Sequence, residues 1–373
     1  MTSRSVLISG AGVAGPTLAY WLARHGFRPT VVEKAQSLRS SGNPVDVRGP
    51  ALPVVDAMGV LPQLRAAATS TTTMKLLNAS GREVARLRMP AARDGAQRRE
   101  VEIPRGDLAA VLHRAARDDA EFLFHDSITA LHQDDHGVDV TFEHAAPRRF
   151  DLVIAADGLH SAVRRLAFGP EGDFVRPTGL HVATMPLGEP VDHPTEVLIH
   201  NTPGRMISIH PSRDSALVAF IFRRPDITAF DHHDTELHKQ IVTESYTHLG
   251  WRVPQLLDRL RDTQDLYFDA VSVVDPPGWS RGRTALLGDA ASCVSLLGDG
   301  SSLAIAGAHT LAEALAEHPD DHVTAFSRYE AAHRARVTPK QRGVRWAAAL
   351  LVPQTRIGLT ARNLAARCWP AGS

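Results

Sequence analysis

The chain has 373 residues, 43% of them hydrophobic and 22% charged. It is long for a single core and ordinary for a soluble globular protein, so two domains or one domain with a large insertion is expected. Lys plus Arg (41) balance Asp plus Glu (41), which points to neither a nucleic-acid nor an acidic-substrate partner. The two cysteines, Cys293 and Cys368, exclude a disulfide framework and fit a reducing cytoplasm, where we expect the protein to reside. The first strand opens within about five residues, so no signal peptide is expected. That strand is the apolar run Ser5 to Ser9, followed at once by Gly10-Ala11-Gly12-Val13-Ala14-Gly15. A helix-like apolar segment runs to His25-Gly26, and Thr30-Val31-Val32-Glu33-Lys34 reads as a second strand. Each glycine has a physical task in such a unit. Gly10 permits a tight turn, Gly12 lets backbone N–H groups approach a pyrophosphate, and Gly15 lets helix and strand pack closely. Glu33, 18 residues past Gly15, can accept hydrogen bonds from ribose hydroxyls. The unit binds a dinucleotide; alone it does not distinguish FAD from NAD(P).

Farther on, the Gly, Pro and Ser content of Arg39 to Gly49 predicts a loop, and Ala51 to Ala68 is helical with a break near Gly59 and Pro62. Met74–Leu77 and Glu83–Leu87 form a predicted β-hairpin, and Asp107–Arg117 a helix. Strands follow at Glu121–Phe124, Ser127–His132, Val138–Phe142 and Phe150–Ala156, the last ending in Asp157-Gly158. Between Thr178 and Arg223, β-rich runs alternate with Pro/Gly turns and predict an antiparallel sheet inserted into the nucleotide domain. Helices are expected over Asp234–Leu249 and Val253–Leu260, then strands at Ala270–Val274 and Thr284–Leu287, the latter ending at Gly288-Asp289. Leu303–His318 and Thr324–Arg336 and beyond read as long helices. Trp346 to Val352, the longest apolar run, falls short of the roughly 20 residues that span a bilayer and reads as a buried helix face.

Two further motifs bear on the cofactor. Asp157-Gly158-Leu159-His160-Ser161-Ala162-Val163-Arg164 and Gly288-Asp289-Ala290-Ala291, the latter followed by Gly298-Asp299-Gly300-Ser301, each place an acid at a strand-to-helix junction. A carboxylate there can bind ribityl or ribose hydroxyls, and the following N–H groups can face an anion. NAD(P) alone needs no second acidic junction so far along the chain; a long FAD molecule does.

With these three ordered motifs the chain resembles the class A, para-hydroxybenzoate hydroxylase-like flavoprotein monooxygenases over roughly residues 5 to 340. The resemblance implies an α/β fold: a Rossmann-like FAD-binding domain of the glutathione reductase type, an inserted antiparallel β-sheet substrate domain and a long C-terminal helix. We divide the chain accordingly into a discontinuous FAD-binding part (1–72, 100–176 and 266–342), a substrate-binding sheet (73–99 and 177–265) and a C-terminal helical segment (343–373). By similarity Gly10, Gly12, Ala14, Gly15, Glu33 and Lys34 hold the ADP half of FAD. Arg105 serves the phosphate or ribityl side, and Asp46 and Arg48 belong to a flavin-side loop in which Asp46 can pair with Arg105. Asp289 binds the ribityl and pyrophosphate region, Gly298, Gly300 and Ser301 lie against the ring, and Asp157 with Arg164 serves FAD packing and the approach of NAD(P)H.

The implied chemistry is reduction of FAD by NAD(P)H, addition of O2 to give a flavin C4a-hydroperoxide, and oxygen transfer to an electron-rich substrate. The cofactor carries the hard step. The compact length matches members acting on aromatic polyketides and tetracycline-like compounds. A flavin-dependent reductase or dehydrogenase on the same fold, and a flavin-binding partner without turnover, are the competing readings. No catalytic base stands out. His200, Arg205 and His210 on predicted sheet strands are candidates, weighed against ordinary strand residues. Met206, Phe220 and Leu296 are candidate substrate contacts. His232, His233, Asp234 and His238 match no common zinc spacing and read as a solvated helix start, so no metal is expected.

Overall fold

The computed structural model describes residues 4–38, 44–88, 100–212, 215–227, 230–232, 234–294 and 299–368. A six-stranded sheet carries the apolar runs of the first strand type, in the spatial order Ser280–Arg281, Thr284–Leu286, Leu152–Ala155, Ser5–Ser9, Arg28–Glu33, Glu121–Phe124. All pairings are parallel except at the Ser280–Arg281 edge. Val6, Leu7, Ile8, Val153 and Ile154 are wholly buried, as strands covered on both faces require. Register matters more than composition here. Ser9 pairs with Ala155 and with Val32, and Ala155 with Leu286, so the residues that follow each strand emerge along one edge. Helix Ala14–Arg24 packs on helix Gly300–Glu317, which packs in turn on helix His322–Leu351.

A second sheet has seven strands, ordered Tyr267–Val274, Val175–Pro186, Leu217–Arg223, Arg205–His210, Glu196–Thr202, Thr73–Leu77, Glu83–Arg88. All its pairings are antiparallel except Glu196–Thr202 with Thr73–Leu77. Tyr267–Val274, which the sequence boundary at 266 assigns to the FAD-binding part, forms an edge of this sheet. Its two faces have different cores. Ile207, Phe220 and Phe222 pack under helices Thr235–Tyr246 and Val253–Asp262, whereas Met206, Ile221, Leu180 and Val271 pack with Ala348 and Val352.

Two expectations need correction. Val45–Arg48 is not loop but a strand paired antiparallel with Glu100–Ile103. The turn-forming residues end at Pro44, and burial of Val47 against Val101 and Ile103 supplies the reason to extend. Trp346–Val352 is not a buried face either. Val344, Ala348 and Val352 reach the sheet, while Trp346 is 77% exposed and Leu350 61%. One helical stripe packs and the rest faces outward. After Pro353 the chain forms a further helix, Arg356–Arg367, with no buried residue. Among the described residues no helix is long and apolar enough to cross a membrane.

Candidate functional site

The shared strand edge brings the three motifs into contact, and the glycines show how closely. At Gly10 (φ +105°) a Cβ would lie 2.4 Å from the Ala156 carbonyl oxygen and 2.9 Å from Asp157 Cα, so the first motif abuts the second. At Gly288 (φ +61°) a Cβ would lie 3.2 Å from that of Ala14, so the third motif abuts the first. A Cβ at Gly15 would fall 1.9 Å from the Gly10 carbonyl oxygen, which fixes glycine there as the residue that lets helix and turn close. Gly12 is the exception. It is exposed, and a Cβ there would meet nothing within 4 Å. The turn is therefore tight on its protein side and open on its outer side. Glu33 seals its end: the carboxylate accepts from the Ala11 N–H at 2.8 Å and the Ala35 N–H at 3.0 Å. Lys34, just beyond, is exposed.

Arg164 is a clamp between the other two motifs. It is fully buried, and its guanidinium donates to the Leu159 carbonyl at 2.6 Å and the Ala290 carbonyl at 3.0 Å, with Glu171 3.6 Å away. Asp157 accepts from the Val163 N–H at 3.1 Å; its Oδ1 is buried without a hydrogen-bond partner among the described residues, and burial raises its pKa.

The flavin-side elements meet at the start of helix Gly300–Glu317. The Arg48 guanidinium lies 2.9 Å from Asp299, the Arg48 backbone N–H donates to the Ser302 hydroxyl at 3.0 Å, and the Ser302 and Ser301 hydroxyls donate to the Asp46 backbone carbonyl at 2.8 and 3.3 Å. Lys340 reaches Asp299 at 2.9 Å, and Gly300 stands against Asp289. Asp46 pairs with Arg48 at 3.7 Å and not with Arg105 as expected. Burial pushes the Asp46 carboxyl up to about 6, with Arg48 opposing and Glu102, Glu100 and Asp299 adding to the rise. Arg105 is the exposed first residue of helix Arg105–Ala116 and makes no ion pair among the described residues. Gly298 and Leu296 lie outside the described residues. Asp299 and Ser302 were missed in the sequence; a lone acid at a helix start beside glycines was the available signal.

The sheet candidates separate. Phe220 is not beside Met206, because adjacent strand positions point to opposite faces; it packs edge-on against Tyr246, ring centroids 5.2 Å apart. Arg205 donates to the Ser245 carbonyl at the end of helix Thr235–Tyr246, a structural role. His200 stacks on Trp251, centroids 4.6 Å apart, and burial lowers its pKa. The His210 Nε2 lies 2.9 Å from the Ser208 hydroxyl, and burial pulls it down to about 4, so it is a weak base near neutrality. Among the described residues, none of these three makes a hydrogen bond or ion pair with the flavin-side cluster.

A cluster the sequence did not reveal sits beside the second motif. The two ring nitrogens of His160 lie 3.0 Å from Glu171 and 3.1 Å from Asp269, which also accepts from the Tyr267 hydroxyl at 3.2 Å and the Ala270 N–H at 2.7 Å. Burial disfavours the imidazolium, but the hydrogen bonds it donates to Asp269 and Glu171 outweigh that and raise the pKa to about 9. His232, with His160 and Asp269, offers ligand atoms within 4.8 Å of one another. Of the histidines first considered for a metal, His238 bonds the Asp231 carbonyl at 2.8 Å and His233 lies outside the described residues; Asp234 caps its helix. The raised pKa sets a sign: the bridge contributes fully below the unfolded value of about 6.5 and fades as pH rises through about 9. Urea midpoints of the native protein should therefore fall between pH 6.5 and 9, and His160→Gln should remove most of that fall. An unchanged slope in the variant would refute the assignment.

Strand ends converging on an open glycine turn, with an acid at each of three junctions, define a flavoprotein of the Rossmann-like FAD-binding class. The comparisons agree. The FAD binding domain family matches residues 3–341. A curated flavin-dependent monooxygenase from an unknown prokaryotic organism is 38% identical over 333 residues, covering 88% of this chain and 85% of its own. An uncharacterised Mycobacterium tuberculosis protein is 39% identical over 332 residues, covering 88% and 89%. The crystal structure of tetracycline destructase Tet(55) superposes with a TM-score of 0.84 at 32% identity, covering 100% of this chain and 99% of that one. The chain belongs to the FAD binding domain family and is a class A flavin-dependent monooxygenase.

Proposed function

We propose that the protein is an NAD(P)H-dependent FAD monooxygenase that places one oxygen atom of O2 on an aromatic or polycyclic small molecule. The observation that carries this is the convergence of the three motifs around a turn that is open at Gly12. Gly10, Gly12, Ala14, Gly15 and Glu33, with Lys34 alongside, hold the ADP half of FAD. Arg105, without an ion pair among the described residues, takes a phosphate or ribityl oxygen; Asp289 takes the ribityl and pyrophosphate region. Gly300 and Ser301 border the ring together with Gly298, and Asp46 and Arg48 are tied to the same helix start through Ser301, Ser302 and Asp299. Asp157, its Oδ1 still unsatisfied, serves the cofactor from the second motif. When bound, the flavin supplies the oxygen-activating chemistry, through the C4a-hydroperoxide that the resemblance implies. The chain's own residues bind, orient and exclude water.

The whole-length match to a tetracycline destructase supports a polycyclic substrate. Met206, on the sheet face opposite Phe220, is the sheet contact proposed for it. Turnover under isotopically labelled O2, with NAD(P)H and tetracycline-like phenols, is expected to give product carrying one labelled atom per NAD(P)H consumed. Reduced product without label would replace this reading with a reductase. Bound flavin with no product from any polycyclic phenol would replace it with a non-turnover flavin carrier.

A further inference from the structure

The last 43 residues, after Glu330, contain eight Lys or Arg and no Asp or Glu, so the preceding 330 carry the compensating excess of acid. A balanced total hides a strongly polarised molecule. Several of these cations are spent inside the fold: Arg334 on Glu330 and Asp275, Lys340 on Asp299, Arg362 on Asn201. Arg342, Arg345 and Arg356 are not; all three are exposed and make no ion pair among the described residues. The same stretch gathers exposed apolar side chains. Of the six large hydrophobic residues found exposed among the described residues, four lie between Trp346 and Leu364: Trp346 at 77%, Leu350 at 61%, Ile357 at 83% and Leu364 at 56%. Arg342, Trp346 and Leu350 follow at intervals of four on helix His322–Leu351, and Ile357 and Leu364 are seven apart on helix Arg356–Arg367, so each set shares one helical face.

We propose that these two C-terminal helices seat the protein on the surface of an anionic phospholipid bilayer. Trp346, Leu350, Ile357 and Leu364 enter the interfacial layer, and Arg342, Arg345 and Arg356 meet the phosphates. The opposite stripe stays fixed to the sheet through Val344, Ala348 and Val352. Charge decides between occupants. A second copy in a two-fold dimer would set a cationic, acid-free segment against itself. Nucleic acid would use the arginines but leave Leu350, Ile357 and Leu364 in water. Anionic lipid uses both, and tryptophan and arginine are the residues suited to that interface. Helix Arg356–Arg367 lies along the protein as a surface helix, so the docking is peripheral and needs no spanning segment.

The test is co-sedimentation of the FAD-loaded full-length protein with vesicles of phosphatidylcholine alone or with phosphatidylglycerol added, at low and high salt. Binding to the anionic vesicles, weakened by salt, is expected, with little binding to phosphatidylcholine. Each of Arg342→Gln, Arg345→Gln and Arg356→Gln should weaken partitioning about fivefold, and the triple variant about 100-fold, from the contribution of a basic residue near such a surface. Trp346→Ser with Ile357→Ser should reduce binding at high salt more than at low salt. Retained yellow colour and an unchanged unfolding midpoint show that these exposed substitutions leave the fold intact. No binding to anionic vesicles at low salt overturns the proposal, and so does undiminished binding by the triple variant. Dimerisation in light scattering or retention on nucleic acid, without vesicle binding, would assign the surface to those partners instead.

Discussion

Replacing Gly12 with valine should yield protein that folds normally but purifies without flavin colour. The two halves of that result have separate causes. A side chain at Gly12 enters open space, so nothing in the folded chain resists it, and its stability should stay within about 0.5 kcal/mol of the native value. The same open space is where backbone N–H groups must approach a pyrophosphate, and branched carbon there holds the phosphate off. Affinity for FAD should fall by more than about 100-fold, equivalent to some 3 kcal/mol. Gly15→Ala is the contrasting control. Its Cβ would fall 1.9 Å from the Gly10 carbonyl oxygen, so the turn itself must move. That variant should lose stability as well as colour, by about 1–3 kcal/mol or more, as overpacking does. Visible flavin absorbance and urea midpoints separate the pair. A fully yellow Gly12→Val protein would overturn the placement of the dinucleotide on this turn.

The convergence was legible because parallel strands buried on both faces are continuous apolar runs. Ser5–Ser9, Leu152–Ala155 and Thr284–Leu286 each announce where they end, and a parallel sheet puts those ends together. What stayed hidden depends on partners distant in sequence or on the choice of face. Val45–Arg48 is extended because Glu100–Ile103 pairs with it, and nothing local says so. The run Leu217–Phe222 is apolar at nearly every position, so no alternation tells which side meets helices; only the register sets Phe220 against Tyr246 and Ile221 with Met206. His160 lay in a motif read for its aspartate and arginine, and its carboxylate partners are 11 and 109 residues away. The one acid within the buried strand Tyr267–Val274, Asp269, was the available signal for it. Trp346 misled because hydrophobicity alone does not distinguish a packed helical stripe from a surface one.

Arg164→Met should be among the most damaging single substitutions outside the glycine turn. The side chain is wholly buried, and its fork joins the turn after Asp157 to the short helix that begins at Asp289. Burial pulls its pKa down while Glu171 and Asp157 push it up, and a guanidinium keeps its charge through such shifts. Methionine fills the volume but leaves the Leu159 and Ala290 carbonyls without this donor, at about 1–3 kcal/mol each, and removes the cation facing Glu171. Breaking one side of a buried charged network costs about 3–5 kcal/mol. Arg164→Lys tests what kind of contact matters. An ammonium restores the charge, but a single point on a flexible stem does not reproduce a planar fork that spans two segments. Urea midpoints should therefore rank native above lysine above methionine. FAD should be held more weakly in the same order, because Ala290 directly follows Asp289 and the clamp sets where that carboxylate stands. If lysine restored both stability and FAD affinity in full, charge near Glu171 would be the whole of the residue's role, and the two junctions would be held in place by the sheet alone.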